Sequence, residues 1–349
     1  MLYYITFWPP ERKHGGTISP QESPLIQGRR QFMGWAMAAA TLSAPRPVMA
    51  QTYPTRSVRL LVGFSAGGIA DVMARIIALS LAARLGQSVV VDNHPGAGGN
   101  LAMDAAAGAA PDGHTILLIS STNAINESLL KNRKSSLLAD IVPVAGIYRD
   151  GPGVMVVSQS SQMRSLPGFI EYAKAHPGEI NFASAGVGST QHLYGEMFKM
   201  LTGIRMNHVP YRGAPLAVTD LLAGHVQVMF DTLGNCLPHI RANKLRALAV
   251  TMRSRVSLLP EIPIIAEFVP GYEGSGWQGI GVPRDTPAHI VEKLNHEINA
   301  ALSDPSVAAR FSELGYYAFL SQPQEFRQFI ASDVARWAKV VEFANAREN

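Results

Sequence analysis

Apolar and polar positions from Val58 onward fall into short apolar runs separated by longer stretches of helical period. Val58–Gly63 is an almost unbroken apolar run, the pattern of a strand buried on both faces. Phe64–Gly68 is a glycine turn. Asp71–Leu85 then places Val72, Ile76, Leu79 and Ala83 at helical spacing and stops at Gly86, a common residue after a helix end. Ser88–Asp92 is a second strand-like run, and Asn93–Asn100 leads into an alanine-rich helix over Leu101–Ala110. After the Pro111-Asp112-Gly113 turn, the pattern predicts a strand over Thr115–Ser120 and a helix over Thr122–Lys131, capped by Ser121 or Thr122. This alternation predicts an α/β fold with a doubly wound parallel sheet.

The rhythm breaks between Asp140 and Ser158. Two strand-like runs, Val142–Tyr148 and Val154–Val157, follow each other with only Asp150-Gly151-Pro152-Gly153 between them. A first crossing between two lobes is expected there. A second α/β set follows: helix Leu166–Ala175, strand Ile180–Ala183, glycine loop Ser184–Ser189, helix Thr190–Leu201, strand Met206–Pro210 and helix Gly213–Leu222. Strands over Val226–Asp231, Leu245–Thr251 and Trp277–Val282 come next. Helices starting at Pro287, Pro305 and Pro323 close the chain, ending at Leu302, Leu314 and Asn345; proline suits a first turn. The expected division is residues 51–152 with 253–349 as one lobe and 153–252 as the other.

Composition narrows the classes. Of 349 residues, 47% are hydrophobic and 16% charged, enough to bury two packed lobes. The net charge of +4 comes largely from the N-terminus, where Arg12, Lys13, Arg29, Arg30 and Arg46 outnumber Glu11 and Glu22. The rest is nearly neutral and presents no broad basic face, so nucleic acid is not expected as a partner. The single cysteine, Cys236, allows no intrachain disulfide and no thiolate metal cluster. Residues 1–50 read as an N-terminal extension with a signal peptide: Arg29-Arg30, an apolar run over Gly34–Ala44, and small residues before an expected cleavage near Ala50-Gln51. Arg29-Arg30-Gln31-Phe32-Met33 resembles a twin-arginine export signal, and a general export signal with two adjacent arginines fits the same residues. The expected location is the periplasm.

Two stretches carry candidate chemistry. Phe64-Ser65-Ala66-Gly67-Gly68 and Ser184-Ala185-Gly186-Val187-Gly188-Ser189 are both strand–glycine–helix turns. Each ends at a helix N-terminus, where unpaired N–H groups and the dipole favour an anion. Two such turns facing each other suit a small carboxylate. Asn123, His192, Tyr211 and Asp231 are the further candidates, at helix starts or strand ends. Asp71, in a first helical turn, is expected to cap the helix. Gly96-Ala97-Gly98-Gly99 fails as a dinucleotide fingerprint because Leu101 occupies its packing position. Ser184 lacks the glycine two residues earlier that a nucleophile elbow needs, that place being Phe182. An exported serine hydrolase using Ser184 is the alternative reading. No histidine spacing reads as a metal set, and neither metal nor cofactor is expected.

The chain resembles the substrate-binding receptors of tripartite tricarboxylate transporters, the Bug or TctC-like family. The matching segments are Tyr53-Pro54-Thr55-Arg56, Gly67-Gly68 with Asp71, Asn93 with Pro95-Gly96-Ala97-Gly98-Gly99-Asn100, Pro111-Asp112-Gly113 with Thr115, and Ser184-Ala185-Gly186 with Gly188-Ser189 and His192. Further on are His208-Val209-Pro210-Tyr211-Arg212-Gly213, Asp220-Leu221-Leu222-Ala223-Gly224 and Leu245–Val250. The resemblance implies a type II periplasmic binding protein, two α/β lobes closing on a ligand cleft. It implies a carboxylate held by both glycine loops through backbone amides, short hydroxyl side chains and water. Implied ligands are tricarboxylates, dicarboxylates, acidic amino acids, nicotinate-like compounds and aromatic acids. Implied partners are integral-membrane transporter subunits or a sensor, with the receptor itself a monomer. Gly63 and Ser65 stand where the family usually has proline, and His94 where it usually has a basic Arg or Lys.

Overall fold

The computed structural model describes residues 53–130 and 132–344. The expected export signal and its cleavage position lie outside these residues, as do Lys131 and Asn345, the expected ends of two helices. The first part of the chain runs β1 (Val58–Val62), α1 (Ile69–Leu85), β2 (Val89–Asn93), α2 (Asn100–Ala107), β3 (Thr115–Ser120), α3 (Ser121–Leu129), α4 (Leu137–Asp140) and β4 (Ile141–Ser158). The second runs α5 (Leu166–Ala175), β5 (Ile180–Ser184), α6 (Thr190–Thr202), β6 (Met206–Pro210), α7 (Ala214–Ala223), β7 (Val228–Thr232), α8 (Leu233–Arg241) and β8 (Leu245–Val250). The chain returns through β9 (Ser275–Pro283), α9 (Ala288–Leu302), α10 (Pro305–Glu313) and α11 (Pro323–Ala344).

The strands follow the order β2-β1-β3-β9-β4-β7-β5-β6, with β8 also paired to β4. The sheets are mixed, not wholly parallel as the rhythm predicts. β1 lies parallel to β2 and β3, and β5 parallel to β6 and β7. β9 runs antiparallel to β3 and β4, and β4 antiparallel to β7 and β8. The two expected runs at 142–157 are one long strand. β4 pairs with β9 from Ile141 to Pro152 and with β7 from Gly153 to Val156, so it belongs to both sheets. Register shifts and a positive φ of 54° at Asp150 bend it between them. Gly, Pro and Asp punctuate turns in isolated sequence, but here pairing with β9 up to Pro152 and with β7 from Gly153 carries the chain through them as one bent strand.

Burial explains which runs become strands. β1 reads VRLLV with only Arg59 exposed, and β3 reads TILLIS with five of six residues buried, as strands covered on both faces must be. One apolar cluster packs α1 and α9 on the first sheet through Leu60, Val62, Ile77, Leu81 and Leu294. A second runs through both sheets, joining Leu61 and Ile119 to Phe182 and Phe230, with Trp277, Phe326 and Trp337 in the same cluster. That shared core fixes the base from which the two sheets present their glycine loops. One helix escapes the pattern: α8 carries Pro238, which reads as a breaker yet sits inside it. No helix among the described residues is long and apolar enough to cross a membrane.

Candidate functional site

A narrow cleft, with a cavity of about 40 Å³ in this arrangement, lies between the two sheets. Its walls come from strand ends and helix starts. Gly68 and Ser120 are the residues before α1 and α3, and Thr232 is the residue before α8. Thr190 and Gln191 open α6, and Ala214 opens α7. Five helix N-termini therefore converge on one space. Among its lining residues none is charged. The helix dipoles and those first-turn N–H groups that have no acceptor favour an anion; Ile69, Thr232 and His192 N–H are already taken by Asn235, Asp231 and Ser189. Each N-terminus contributes about 0.3–1 kcal/mol at the surface and up to about 2 kcal/mol where partly buried.

The first glycine loop is held from outside itself. Gly67 N–H donates to Asp71 Oδ2 at 3.0 Å, and Asp71 is paired with Arg75 at 2.9 Å. The sequence predicts that Asp71 caps its helix; instead it reaches back to the loop residue Gly67, and the helix start at Gly68 has no side-chain cap. Burial alone would push the Asp71 pKa up, but hydrogen bonds from Arg75, Gly67 and Asn93 outweigh this and hold the carboxyl below its ordinary value. Asn93 Nδ2 donates to Phe64 O at 3.0 Å. Ile69 N–H donates to Asn235 Oδ1 at 2.6 Å, a bond from α1 to α8 across the cleft. A side chain at Gly213 would collide with Ser65 Oγ, so the two sides are in contact around the cleft. Ser65 Oγ is buried and has no hydrogen-bond partner.

The second loop is held by its own residues. Ser184 Oγ and Gly186 lie in mutual contact through N and O at 3.1 Å each. Ser189 Oγ donates to Gly186 O at 2.6 Å and accepts from His192 N–H at 3.2 Å, capping α6. Gly188 N–H donates to His192 Nδ1 at 3.2 Å. His192 stacks on His208 with ring centres 4.0 Å apart, and His208 Nε2 lies 2.6 Å from Ser184 Oγ. Burial, and then the neighbouring His208 and Lys199, pull His192 down to about 3; burial and Lys199 pull His208 down to about 4. Both imidazoles are therefore neutral near pH 7, which leaves His192 Nδ1 free to accept from Gly188.

The thirteen expected site residues divide by position. Phe64, Ser65, Gly68 and Ala185 line the main cleft. Ala185, Gly186 and Tyr211 line a neighbouring cavity with Gly63, Pro95–Gly99 and Arg212. There Tyr211 donates to Asp220 Oδ2 at 2.6 Å; burial first, then Asp220, pushes the phenol up to about 12. Ala66 and Gly67 are exposed in the first loop and do not line the cleft. Asn123 instead closes a capping box, accepting from Ser120 N–H at 3.0 Å. Ser184 and Ser189 are fully buried and form the inside of their loop. His192 braces that loop from behind.

Asp231 lies beneath the cleft, not in its wall. It is fully buried, and its Oδ1 accepts from Thr232 N–H, Asn235 Nδ2 and Gln191 Nε2 at 2.7, 2.9 and 3.1 Å. Burial raises the carboxyl to about 6 against the pull of those hydrogen bonds. Its role is to set Gln191 and Asn235, which do line the cleft. Ser184 and His208 are paired as a serine nucleophile and its base would be, but the hydroxyl is fully buried and shared with Gly186. A substrate carbonyl has no approach to it in this arrangement. Gly63, flagged by its departure from the resembled pattern, packs against Gly99; a side chain there would lie 2.6 Å from Gly99 Cα.

Several cleft residues escape sequence reasoning: Ser120, Ser121, Thr122, Gln191, Thr232 and Asn235, together with Trp277 and Gln278 of β9. The signal for the first six is positional. They sit at strand carboxyl ends or in the following helix turn, where open α/β sheets bind ligands.

The architecture and cleft define a mixed α/β binding-protein fold, a type II periplasmic binding protein with two α/β lobes around a ligand cleft. The tripartite tricarboxylate transporter family receptor model matches residues 73–346, and the chain belongs to that family. Protein BugT of Bordetella pertussis is 40% identical over 311 residues, covering 88% of this chain and 95% of BugT. The solved structure of R. palustris Rpa4515 with adipate is 36% identical, with a TM-score of 0.81 over 84% of this chain and 98% of that one. MatC of Rhodopseudomonas palustris with bound malate is 30% identical, with a TM-score of 0.79 over 83% of this chain and all of that one (100%).

Proposed function

We propose that the protein is a non-enzymatic periplasmic receptor that closes on a small organic carboxylate and delivers it to a tripartite tricarboxylate-type transporter or a sensor. The observation that carries this reading is the convergence of five helix N-termini on a cleft lined by no charged side chain. Backbone N–H groups and hydroxyls hold an anion there without a counter-ion, as helix N-termini do elsewhere. Ser65 Oγ, buried and unpartnered, is the side-chain donor from the first loop. Adipate and malate in the two solved relatives support a carboxylate as the ligand class.

In this reading, residues 51–152 and 253–349 move against 153–252 as two jaws. The hinge includes β4, where pairing passes from β9 to β7 between Pro152 and Gly153. Closure brings Asn235 to Ile69 N–H and is favoured by ligand bound to both jaws. Thermal melting against di-, tri- and aromatic carboxylates, followed by calorimetry, tests the reading. A carboxylate should raise the melting temperature in a concentration-dependent way. Binding of a sugar or a cation with no response to any carboxylate contradicts it.

A further inference from the structure

We infer that Gln278 forms a second subsite in the cleft that reads a hydroxyl group on the ligand, so that the ligand is a hydroxycarboxylate. This rests on the carboxylate reading above and concerns the side of the cleft built by the sheet. Gln278 on β9 pairs directly with Ser120 of β3 on one side and with Tyr148 of β4 on the other. Directly opposed residues in an antiparallel pair share a face, with Cβ atoms roughly 4.5–5.5 Å apart. Ser120, Gln278 and Tyr148 therefore make one polar row across three strands, and all three line the cleft.

Within that row Gln278 is the unsatisfied member. Only 4% of it is exposed, and its Oε1 has no hydrogen-bond partner. Ser120 is engaged elsewhere, capping α3 with Asn123. Tyr148 is packed against Tyr316, ring centres 4.4 Å apart. A buried amide acceptor left without a donor is costly, so the pocket favours a ligand that supplies one. A second carboxylate is acceptor-only and leaves Oε1 unpaired. No Arg, Lys or His lines the cleft to neutralise it. A hydroxyl both donates and accepts, and so meets an amide that carries an acceptor beside a donor. A hydroxyl meets the amide in either of its two orientations, since it can donate to Oε1 or accept from Nε2.

Calorimetry on the full-length protein with acid pairs differing by one hydroxyl tests this. Succinate with malate, glutarate with 2-hydroxyglutarate, and benzoate with its three hydroxybenzoates are suitable probes. In at least one pair the hydroxylated member should bind about tenfold or more tightly, the scale of one buried hydrogen bond. Gln278→Met, similar in volume and without polar hydrogen bonding, should abolish that preference by weakening the hydroxylated member about tenfold relative to the plain acid. Plain acids that bind as well as their hydroxylated partners throughout overturn the inference, as does a preference that survives Gln278→Met. If Gln278→Met does not fold, the wild-type ratios decide alone. Failure of every acid to bind overturns the carboxylate reading and this inference with it, whereas binding without hydroxyl preference overturns this inference alone.

Discussion

The two glycine loops look alike in sequence and are built in opposite ways. The hydrogen bonds of Ser184–Ser189 stay within its own side of the cleft, from its two serines, His192 and His208, although Gly188 packs against Asn126 of α3. Phe64–Gly68 relies on Asp71, Asn93 and, through Ile69, on Asn235 from the opposing side. In the proposed reading, the same motif gives one loop held mainly from its own side and one held partly from the opposing side. A receptor that must open and report closure needs one loop of each kind, since a cleft with both loops locked gains little from shutting.

The contrast is broken most strongly by alanine at one glycine of each loop. Both Gly67 and Gly188 hold positive φ, +83° and +76°. A side chain at Gly188 runs into Asn126 Oδ1, whereas at Gly67 the nearest atom is Pro215 Cγ at 4.0 Å. Gly188→Ala should cost about 2–4 kcal/mol, combining left-handed strain with overpacking. Gly67→Ala should cost only about 1–2 kcal/mol for the strain alone. Urea unfolding of both variants gives the ranking, and equal losses would mean that the loops are not differently supported.

Asp231 and the two histidines give the loops opposite dependence on pH. Asp231 rises from 3.8 to about 6 on folding, so its protonated form contributes stability below about pH 4 that is lost as pH rises through about 6. Asp231→Asn removes that loss, and should gain on the wild type across this window by up to about 3 kcal/mol. His192 and His208 are depressed from 6.5 to about 3 and about 4. Their contribution is present above about pH 6.5 and is lost as pH falls through about 4 and about 3. Melting curves of wild type and Asp231→Asn between pH 3 and 8 separate the two arms. A difference that is flat with pH contradicts the assignment to Asp231.

The serines separate binding from stability at smaller scale. Ser189→Ala removes the cap of α6 and should cost about 1 kcal/mol of stability. Ser65→Ala removes a hydroxyl with no partner in the protein, so stability should hold within about 0.5 kcal/mol while carboxylate affinity falls about threefold to tenfold. Asn235→Ala should also weaken affinity, by about tenfold, because the closed arrangement loses its bond to Ile69 N–H. Wild-type affinity in both Ser65→Ala and Asn235→Ala would show that the cleft is not the site.

Most of the fold is legible in the chain because its central strands are apolar on both faces and many of its helices end at glycine or begin at proline. The two glycine loops are legible for the same reason, as strand ends feeding helices. What is not legible depends on pairing between distant segments. β4 reads as two runs because Asp150-Gly151-Pro152-Gly153 is turn chemistry, and only β9 and β7 alongside make it one strand. Asp231 reads as a cleft residue at a strand end, but Gln191 and Asn235 cover it. Gln278 acquires meaning only when β9 sets it between Ser120 and Tyr148.

The central claim is that an anion is held by helix N-termini without a charged partner. Its most direct test compares a bound carboxylate with its neutral isosteric amide by calorimetry, for example malate against malamide, at low and high salt. The account predicts that the amide loses about a hundredfold or more in affinity, because N–H donors and dipoles favour charge at that position. It also predicts that salt weakens the carboxylate only slightly, since a buried site is poorly screened. An amide that binds as tightly as the acid would contradict it.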